Sequence, residues 1–370
     1  MKKLLPLLAI VLLTACKTDT STNSDLDRWQ EHADNTTIIR DRYGVPHVYG
    51  KTDADAVFGL LYAQCEDDFK RVEQNYIWAT GRLAEVEGED AIYSDLRAKL
   101  FMTEDEAKAN YEKSPEWLKE LCNAFADGVN YYLHSNPDVK PRLLTKFEPW
   151  MPMYFSEGSI GGDIERVRTA RIKAFYEGNI DIEESKAVAI EEQRRLEEEP
   201  AGSNGISISG KLTESGNPIL LINPHTSFFF RGEVHAVSEE GLNAYGAVTW
   251  GQFFIYQGFN EKTGWMHTST YTDVIDEFEE DMIKVDGKLM YRYGEELRPV
   301  ESSEVTLKYK DGDVIKEKTF PMYRTHHGPI THSNDGRWVS TAMMWEPVKA
   351  LEQSYTRSKQ SGYALSLIHI

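Results

Sequence analysis

The sequence predicts an α+β protein, with helices gathered in the first half of the chain and strands in the second. Three observations carry this. An apolar stripe at helical spacing runs through Val57, Leu61, Cys65, Phe69, Val72 and Tyr76. A second stripe runs through Leu118, Leu121, Cys122, Phe125, Val129 and Leu133. Beyond Gly202 the helical spacing gives way to short branched runs separated by Gly, Asn and Asp turns.

The chain opens on Lys2 and Lys3, followed by an apolar run from Leu4 to Leu13 that is too short to span a bilayer. It ends in Leu13-Thr14-Ala15-Cys16, which resembles a bacterial lipobox. The expectation is a signal peptide over residues 1–15, removed before Cys16, whose thiol takes a diacylglycerol. The protein would then sit in the bacterial cell envelope on a lipid anchor, facing the periplasm or the surface. Lys17, where inner-membrane retention in enteric bacteria favours Asp, points away from the inner membrane. Residues 16–35, rich in Ser, Thr and Asp at their start, read as a tether.

Residues 36–180 come next. Thr36–Arg40 and Pro46–Gly50 read as two short strands around Tyr43-Gly44. Thr52-Asp53 caps the first long helix. Ser114 reads as the N-cap of the second, with Pro115 in its first turn, and Asn136-Pro137 ends it. Cys65 and Cys122 lie on the two stripes and read as small buried hydrophobes. Export would permit them to pair, and the sequence leaves that open. Residues 181–202 are acidic and lack aromatics, which reads as a linker or a spacer. From residue 203, Gly205–Gly210 and Pro218–Asn223 read as a hairpin turning at Thr213–Gly216. Residues 304–319 read as a further strand pair around Lys310–Asp313.

Over 370 residues the formal charge is −19, from 41 Lys and Arg against 60 Asp and Glu. A balance this acidic argues against a nucleic-acid partner, because phosphate binding needs clustered cations. Three cysteines without a Cys-x-x-Cys pair exclude a disulfide scaffold and a cysteine zinc site. No Gly-x-Ser-x-Gly, His-Glu-x-x-His or Walker loop is present.

What remains is a series of blocks. Asp41–Gly50 comes first, then Gly59–Asp68 running on to Thr80-Gly81-Arg82-Leu83-Ala84-Glu85. Gly202-Ser203-Asn204 follows, then Asn223-Pro224-His225, Gly258–Ser269 and His326-His327-Gly328-Pro329-Ile330. Alone, each is weak. Together and in this order they resemble the penicillin-acylase-type N-terminal nucleophile hydrolases, which include penicillin acylases, acyl-homoserine-lactone acylases and cyclic-lipopeptide acylases.

The resemblance implies a four-layer αββα sandwich and a precursor that cuts itself between Gly202 and Ser203. The products would form an α/β heterodimer. Ser203 would supply both the hydroxyl nucleophile and, through its new α-amino group, the base. Such an amine has a reference pKa of about 7.7–8.0, suited to proton transfer near neutral pH. Gly202 lacks a Cβ, leaving its carbonyl accessible. His225 would stand beside the nucleophile and order the site. Ser269 falls at the oxyanion position, where the backbone N–H is the donor. The family's second oxyanion donor, an Asn, would lie beyond residue 370. Asp273, Asp276 and the Ile275 carbonyl match a calcium-ligand run, with Glu165 as the ligand from the α part; these hard oxygens suit a structural Ca²⁺. Catalysis itself needs no cofactor. Thr226 and His267 fall near the substrate-binding positions. Phe228-Phe229-Phe230 reads as core or strand in preference to an acyl-pocket wall. The His326-His327 pair reads as structural in preference to a metal site, because a Gly-Pro turn follows it.

The stretch 203–364 reads as the first part of a β subunit that runs further in the family. The last six residues, 365–370, resemble a translated library-adapter sequence. The function expected is hydrolysis of the amide of an N-acylated small molecule through a serine acyl-enzyme. The alternative is a catalytically silent lipoprotein that binds acylated ligands on the same scaffold.

Overall fold

Thr52 closes a capping box that starts the longest helix. Its Oγ1 accepts the Asp55 N–H at 3.0 Å, and the Asp55 carboxylate accepts the Thr52 N–H at 3.0 Å. The computed structural model describes residues 20–154, 164–178, 202–226, 229–268 and 275–362. Cys16, the acidic run 181–201 and the terminal residues 365–370 lie outside them.

Eight α-helices are present among the described residues. They are α1 (Thr20–Asp34), α2 (Asp53–Ala79), α3 (Ala84–Glu87), α4 (Ile92–Phe101), α5 (Glu104–Lys113), α6 (Glu116–Ser135), α7 (Thr169–Glu177) and α8 (Pro347–Arg357). The α2 stripe is buried along its whole length. Each such aliphatic or aromatic side chain contributes about 1.5–3 kcal/mol by leaving water. α6 crosses α2 closely because Gly128 has no side chain: a Cβ there would sit 2.4 Å from the Phe58 carbonyl oxygen. Ser114 is not the N-cap of α6. Pro115 holds that place in extended backbone, and Ser114 instead ends α5 by donating its hydroxyl to Asn110 O at 2.9 Å. Cys65 and Cys122 are both buried and both free thiols.

The tether expectation fails over residues 20–34, which form α1. Arg28 and Trp29 both donate to the buried Asp127 carboxylate of α6, at 2.7 Å in each case. His32 bonds the buried Asp55 carboxylate as well, at 2.7 Å, so a segment whose composition suits a linker is docked as a helix by two buried acceptors.

The strands confirm the N-terminal pair and both hairpins and add the sheets that join them. β1 (Thr36–Arg40) and β2 (Pro46–Gly50) pair antiparallel, and β2 then runs parallel to β5 (Arg231–Ser238). β6 (Asn243–Thr249), β7 (Gln257–Asn260) and β8 (Gly264–Trp265) complete a six-stranded sheet in the order β1-β2-β5-β6-β7-β8. One face, carrying Val234, Ala236, Ala244 and Val248, is buried in the same core as α2 and α6. Tyr49 and Phe259 remain exposed. The architecture is α+β, with helices covering one face of this sheet.

Strand β3 (Ser203–Ile208) pairs antiparallel with β4 (Ile219–Pro224) as a separate hairpin. A five-stranded sheet follows, in the order β11-β10-β9-β15-β14. Its strands are β9 (Ile275–Val285), β10 (Lys288–Tyr293), β11 (Glu296–Pro299), β14 (Ile330–Asn334) and β15 (Arg337–Met343). The ribbon of β12 (Glu301–Asp311) and β13 (Val314–Arg324) lays Leu307 and Phe320 onto Ile92, Leu96 and Leu100 of α4, forming a second core.

The stretches before and after Gly202 therefore share both cores. Four α2 contacts show how. Gln64 donates to Gln252 O at 2.8 Å and accepts the Gly251 N–H at 2.9 Å. Asn75 donates to Trp250 O and Tyr76 to Gly251 O, each at 2.8 Å. No helix among the described residues is long and apolar enough to cross a membrane.

Candidate active site

The hairpin register explains why Gly202-Ser203-Asn204 and Asn223-Pro224-His225 belong together. Ser203 pairs with Pro224 and Asn204 with Asn223, so the two motifs form the open end of one hairpin. Gly202, just outside it, has φ +108°, a backbone conformation that L side chains rarely adopt.

Two donors meet on the Gly202 carbonyl oxygen. The Ser203 hydroxyl donates to it at 2.6 Å and the His225 backbone N–H at 3.1 Å. The Ser203 hydroxyl oxygen thus lies beside the peptide group that precedes it. A hydrogen bond from a fixed backbone N–H favours negative charge on that oxygen.

The His225 ring lies between the two asparagines, and its Nε2 serves one of them at a time, donating to Asn223 Oδ1 or accepting from Asn204 Nδ2. Its Nε2 lies 3.1 Å from Asn223 Oδ1 and 3.0 Å from Asn204 Nδ2. In the tautomer that donates Nε2–H to Asn223, Nδ1 is an acceptor facing Gly202. A Cβ at Gly202 would lie 3.7 Å from that nitrogen. No hydrogen bond joins the ring to Ser203 Oγ among the described residues. His225 orders the end of the hairpin through its backbone N–H and its asparagine clamp. Thr226 follows it, half-buried.

The segment 266–268 runs along β3. Met266 packs on Gly205, where a Cβ would meet its sulfur at 2.2 Å and displace that side chain. Thr268 donates to Ser203 O at 3.3 Å. His267 turns the other way and packs tilted against Tyr256, ring centres 4.6 Å apart, beside the Arg357 guanidinium. Burial, with Arg357 and Arg231 as adjacent cations, pushes its pKa down to about 3, so the ring is neutral. Burial likewise lowers Arg357 to about 10. The structure does not bring His267 to Ser203.

Ser269 and Asp273 lie outside the described residues, as does the side chain of Glu165, whose backbone is in the short turn Ile164–Arg166. Ile275 and Asp276 start β9 and pair with Met343 and Ala342 of β15. No group of three His, Cys, Asp or Glu that could hold a metal ion occurs among the described residues.

The Phe229–Phe230 expectation is corrected: both side chains are exposed and neither joins the core. Arg71 lies 4.8 Å from the Phe229 ring centre and Arg231 lies 5.1 Å from that of Phe230. Phe228 lies outside the described residues. His326 and His327 take separate partners. His327 Nδ1 bonds Glu280 at 2.9 Å and stacks at 4.0 Å on Phe278, while His326 Nδ1 lies 3.0 Å from the Tyr291 hydroxyl.

Sequence reasoning missed Thr268, the Asn204–Asn223 clamp and Arg357. Counting register outward from the Thr213–Gly216 turn would have placed Asn204 opposite His225; the actual register, offset by two residues, pairs it with Asn223. No local signal marks Arg357, which meets His267 only through the tertiary fold.

Residues 35–366 match the family model for penicillin amidase. The chain is 24% identical over 342 residues to the acyl-homoserine lactone acylase QuiP of Pseudomonas fluorescens, covering 81% of this chain and 41% of that protein. It is 24% identical to the penicillin acylase 2 proenzyme of a Pseudomonas species, covering 79% of this chain and 43% of that protein. It thus spans about two fifths of the length of these curated relatives. Among solved structures, a thermostable penicillin G acylase from Alcaligenes faecalis matches with a TM-score of 0.38 and 19% identity, over 44% of this chain and 30% of that one.

Proposed function

The chain belongs to the penicillin amidase family, and from that premise we propose that it is the precursor of an acylase activated by cutting itself before Ser203. The observation that carries this reading is the pair of donors on Gly202 O, with the Ser203 hydroxyl at 2.6 Å and the His225 N–H at 3.1 Å. Ser203 Oγ attacks the Gly202 carbonyl carbon. The C–N bond breaks, its nitrogen takes the hydroxyl proton, and an ester joins Gly202 to Ser203 Oγ. Water hydrolyses that ester. Gly202 keeps a carboxylate and Ser203 gains a free α-amine.

The same serine then acts on substrate. Its α-amine, with a reference pKa of about 7.7–8.0, takes the Oγ proton as Oγ attacks the amide of an N-acylated small molecule. The amine leaves with a proton and the acyl group stays as an ester. Water, activated by the α-amine, releases the acid. The N–H of Ser269 would face the developing oxyanion, and Thr226 would face substrate.

The remaining features of the reading are structural. The four-layer sandwich would complete the sheets described above. Asp273, the Ile275 carbonyl, Asp276 and Glu165 would hold Ca²⁺, which supplies local rigidity and no step of bond breaking. The lipid on Cys16 would anchor the protein to the cell envelope, and the two chains would remain together as an α/β heterodimer.

Intact-mass measurement tests the central step. The expected result is two chains whose masses sum to the precursor plus one water, the second beginning at Ser203, and a single chain for Ser203→Ala. A folded wild-type chain that stays whole, or a Ser203→Ala chain cut at the same bond, would overturn the reading. The first of these outcomes would favour a silent ligand-binding protein.

A further inference from the structure

Two histidines stand side by side on the face of the six-stranded sheet that looks away from α2. β2 and β5 run parallel in a register that sets His47 beside His235. Their Nδ1 atoms lie 2.9 Å apart and their ring centres 5.0 Å apart. Both residues are half-buried, so water reaches them. β2 precedes Gly202 and β5 follows it, so the pair bridges the stretches on either side of that residue.

The outer partners decide which nitrogens carry protons. Asn243 Nδ2 donates to Glu261 Oε1 at 3.2 Å, which leaves Asn243 Oδ1 to accept His235 Nε2–H at 2.9 Å. A neutral His235 then has a bare lone pair on Nδ1, and His47 Nδ1–H donates to it. His47 Nε2 faces Asp41 Oδ2 at 3.9 Å. The other oxygen of Asp41 accepts the N–H groups of Tyr43 and Val45, at 2.8 and 3.0 Å. The surroundings are acidic: Asp41 beside His47, Glu261 behind Asn243, and Glu233, which accepts the Tyr245 hydroxyl at 2.7 Å. The neighbouring guanidiniums are turned elsewhere. Arg40 pairs with Glu66 at 3.0 Å and Asp67 at 2.8 Å, and Arg42 lies over the Tyr43 ring.

The spacing of the rings is that of two ligands on one ion. A metal–imidazole bond is about 2.0–2.1 Å, so two nitrogens bound about 90–110° apart lie roughly 2.9–3.4 Å from each other, with ring centres about 5 Å apart. Metal-bound imidazoles also give their other N–H to a carbonyl or carboxylate. Asn243 Oδ1 holds that place for His235, and Asp41 is the carboxylate on that side of His47.

We propose that His47 and His235 form a site for one late-transition-metal dication, Cu²⁺ in preference to Zn²⁺, with water in its remaining positions. On binding, His47 gives up its Nδ1 proton and takes one on Nε2, toward Asp41. Both Nδ1 lone pairs then go to the ion. The ion ties β2 to β5 whether or not the chain is cut at Ser203.

Electron paramagnetic resonance on the 370-residue chain, titrated with Cu²⁺, tests it. One equivalent should show two imidazole nitrogens. His47→Gln and His235→Gln should each weaken that equivalent at least about tenfold, since even the loss of an outer partner costs about 10–100-fold. Asn243→Ala should weaken it about tenfold. His134→Gln, at an exposed histidine of α6, should bind as wild type does. Zn²⁺ should compete less strongly than Cu²⁺ competes with itself, and Ca²⁺ not at all, because imidazole suits the late transition metals and Ca²⁺ takes oxygen. Three outcomes overturn the proposal: a two-nitrogen signal that survives either His47→Gln or His235→Gln, Ca²⁺ competing as well as Zn²⁺, or no equivalent bound at micromolar Cu²⁺. Circular dichroism on each variant confirms that it is folded. Should neither histidine variant fold, the wild-type chain carrying ¹³C-histidine decides: Cu²⁺ should broaden the His47 and His235 signals first, and broadening that begins at other histidines overturns the proposal equally.

Discussion

Two regions of this molecule are built in opposite ways. The seam between the stretches on either side of Gly202 is dense and hydrogen-bonded across. α2 is clamped to residues 250–252 by Gln64, Asn75 and Tyr76, and β2 lies parallel to β5. The β3–β4 hairpin that ends at Ser203 is the reverse. Ile206 and Ile219 are each 52% exposed and Leu221 is 51% exposed. Its Ser203 end is held by single polar contacts from His225 and Thr268. The difference teaches that stability and the geometry at the Gly202–Ser203 bond are separable here. The seam would hold two chains together after a cut that only the hairpin needs to support.

The largest way to break that comparison is at the seam. Phe125→Ala removes a fully buried ring that packs at 5.1 Å on Tyr76. It should cost about 3–5 kcal/mol and lower the urea midpoint accordingly. Any chain that remains folded should keep its arrangement at Gly202. A loss of less than about 1 kcal/mol would mean that the core around α2 carries little of the stability.

Acid should also strike the seam before the hairpin. His332, buried beside Arg171, has its pKa pushed down to about 3 by burial and then by that cation, as His267 does. Both rings are neutral in the folded protein and take up protons on unfolding below about 6.5. The unfolded state therefore binds more protons between about pH 6.5 and 3, and stability falls as pH drops through that window. Asp95 acts in the opposite sense. Burial pushes its pKa up to about 7, so the folded state holds its proton and acid relieves its cost. Two histidines against one aspartate leave a net loss on acidification. A urea midpoint that rises from pH 6.5 to 4.5 would overturn the account of buried neutral histidines.

The smallest stability effect, and the sharpest test of separability, is Gly202→Ala. The +108° φ is strained for alanine, at about 1–3 kcal/mol. Relief of that strain moves the carbonyl away from Ser203 Oγ and His225 N–H. Chain cutting, followed by intact mass over time, should slow by about tenfold or more, since 1.4 kcal/mol is a factor of ten. The urea midpoint should move less than in Phe125→Ala. Unchanged cutting would show that the glycine conformation does not matter to the step.

Much of this was legible because it is local. The α2 capping box, the stripes of α2 and α6 and both hairpins follow from spacing within a few turns of chain. α1 was not legible. Its residues have the composition of a tether, and what holds them is Asp55 on α2 and Asp127 on α6, the latter about a hundred positions away. Phe229 and Phe230 failed in the other direction: their hydrophobicity suggested a core, yet the chain leaves them exposed.

The sequence by itself determined the elements and the motif blocks, because caps, turns and apolar periodicity act over short distances. It also determined the family, since the blocks run in order from Asp41 to Ile330. The tertiary structure alone decided that Gly202 O collects two donors and that His267 turns to Arg357. Each of these joins residues that are distant in sequence. Their distance and desolvation exist only once both cores have formed.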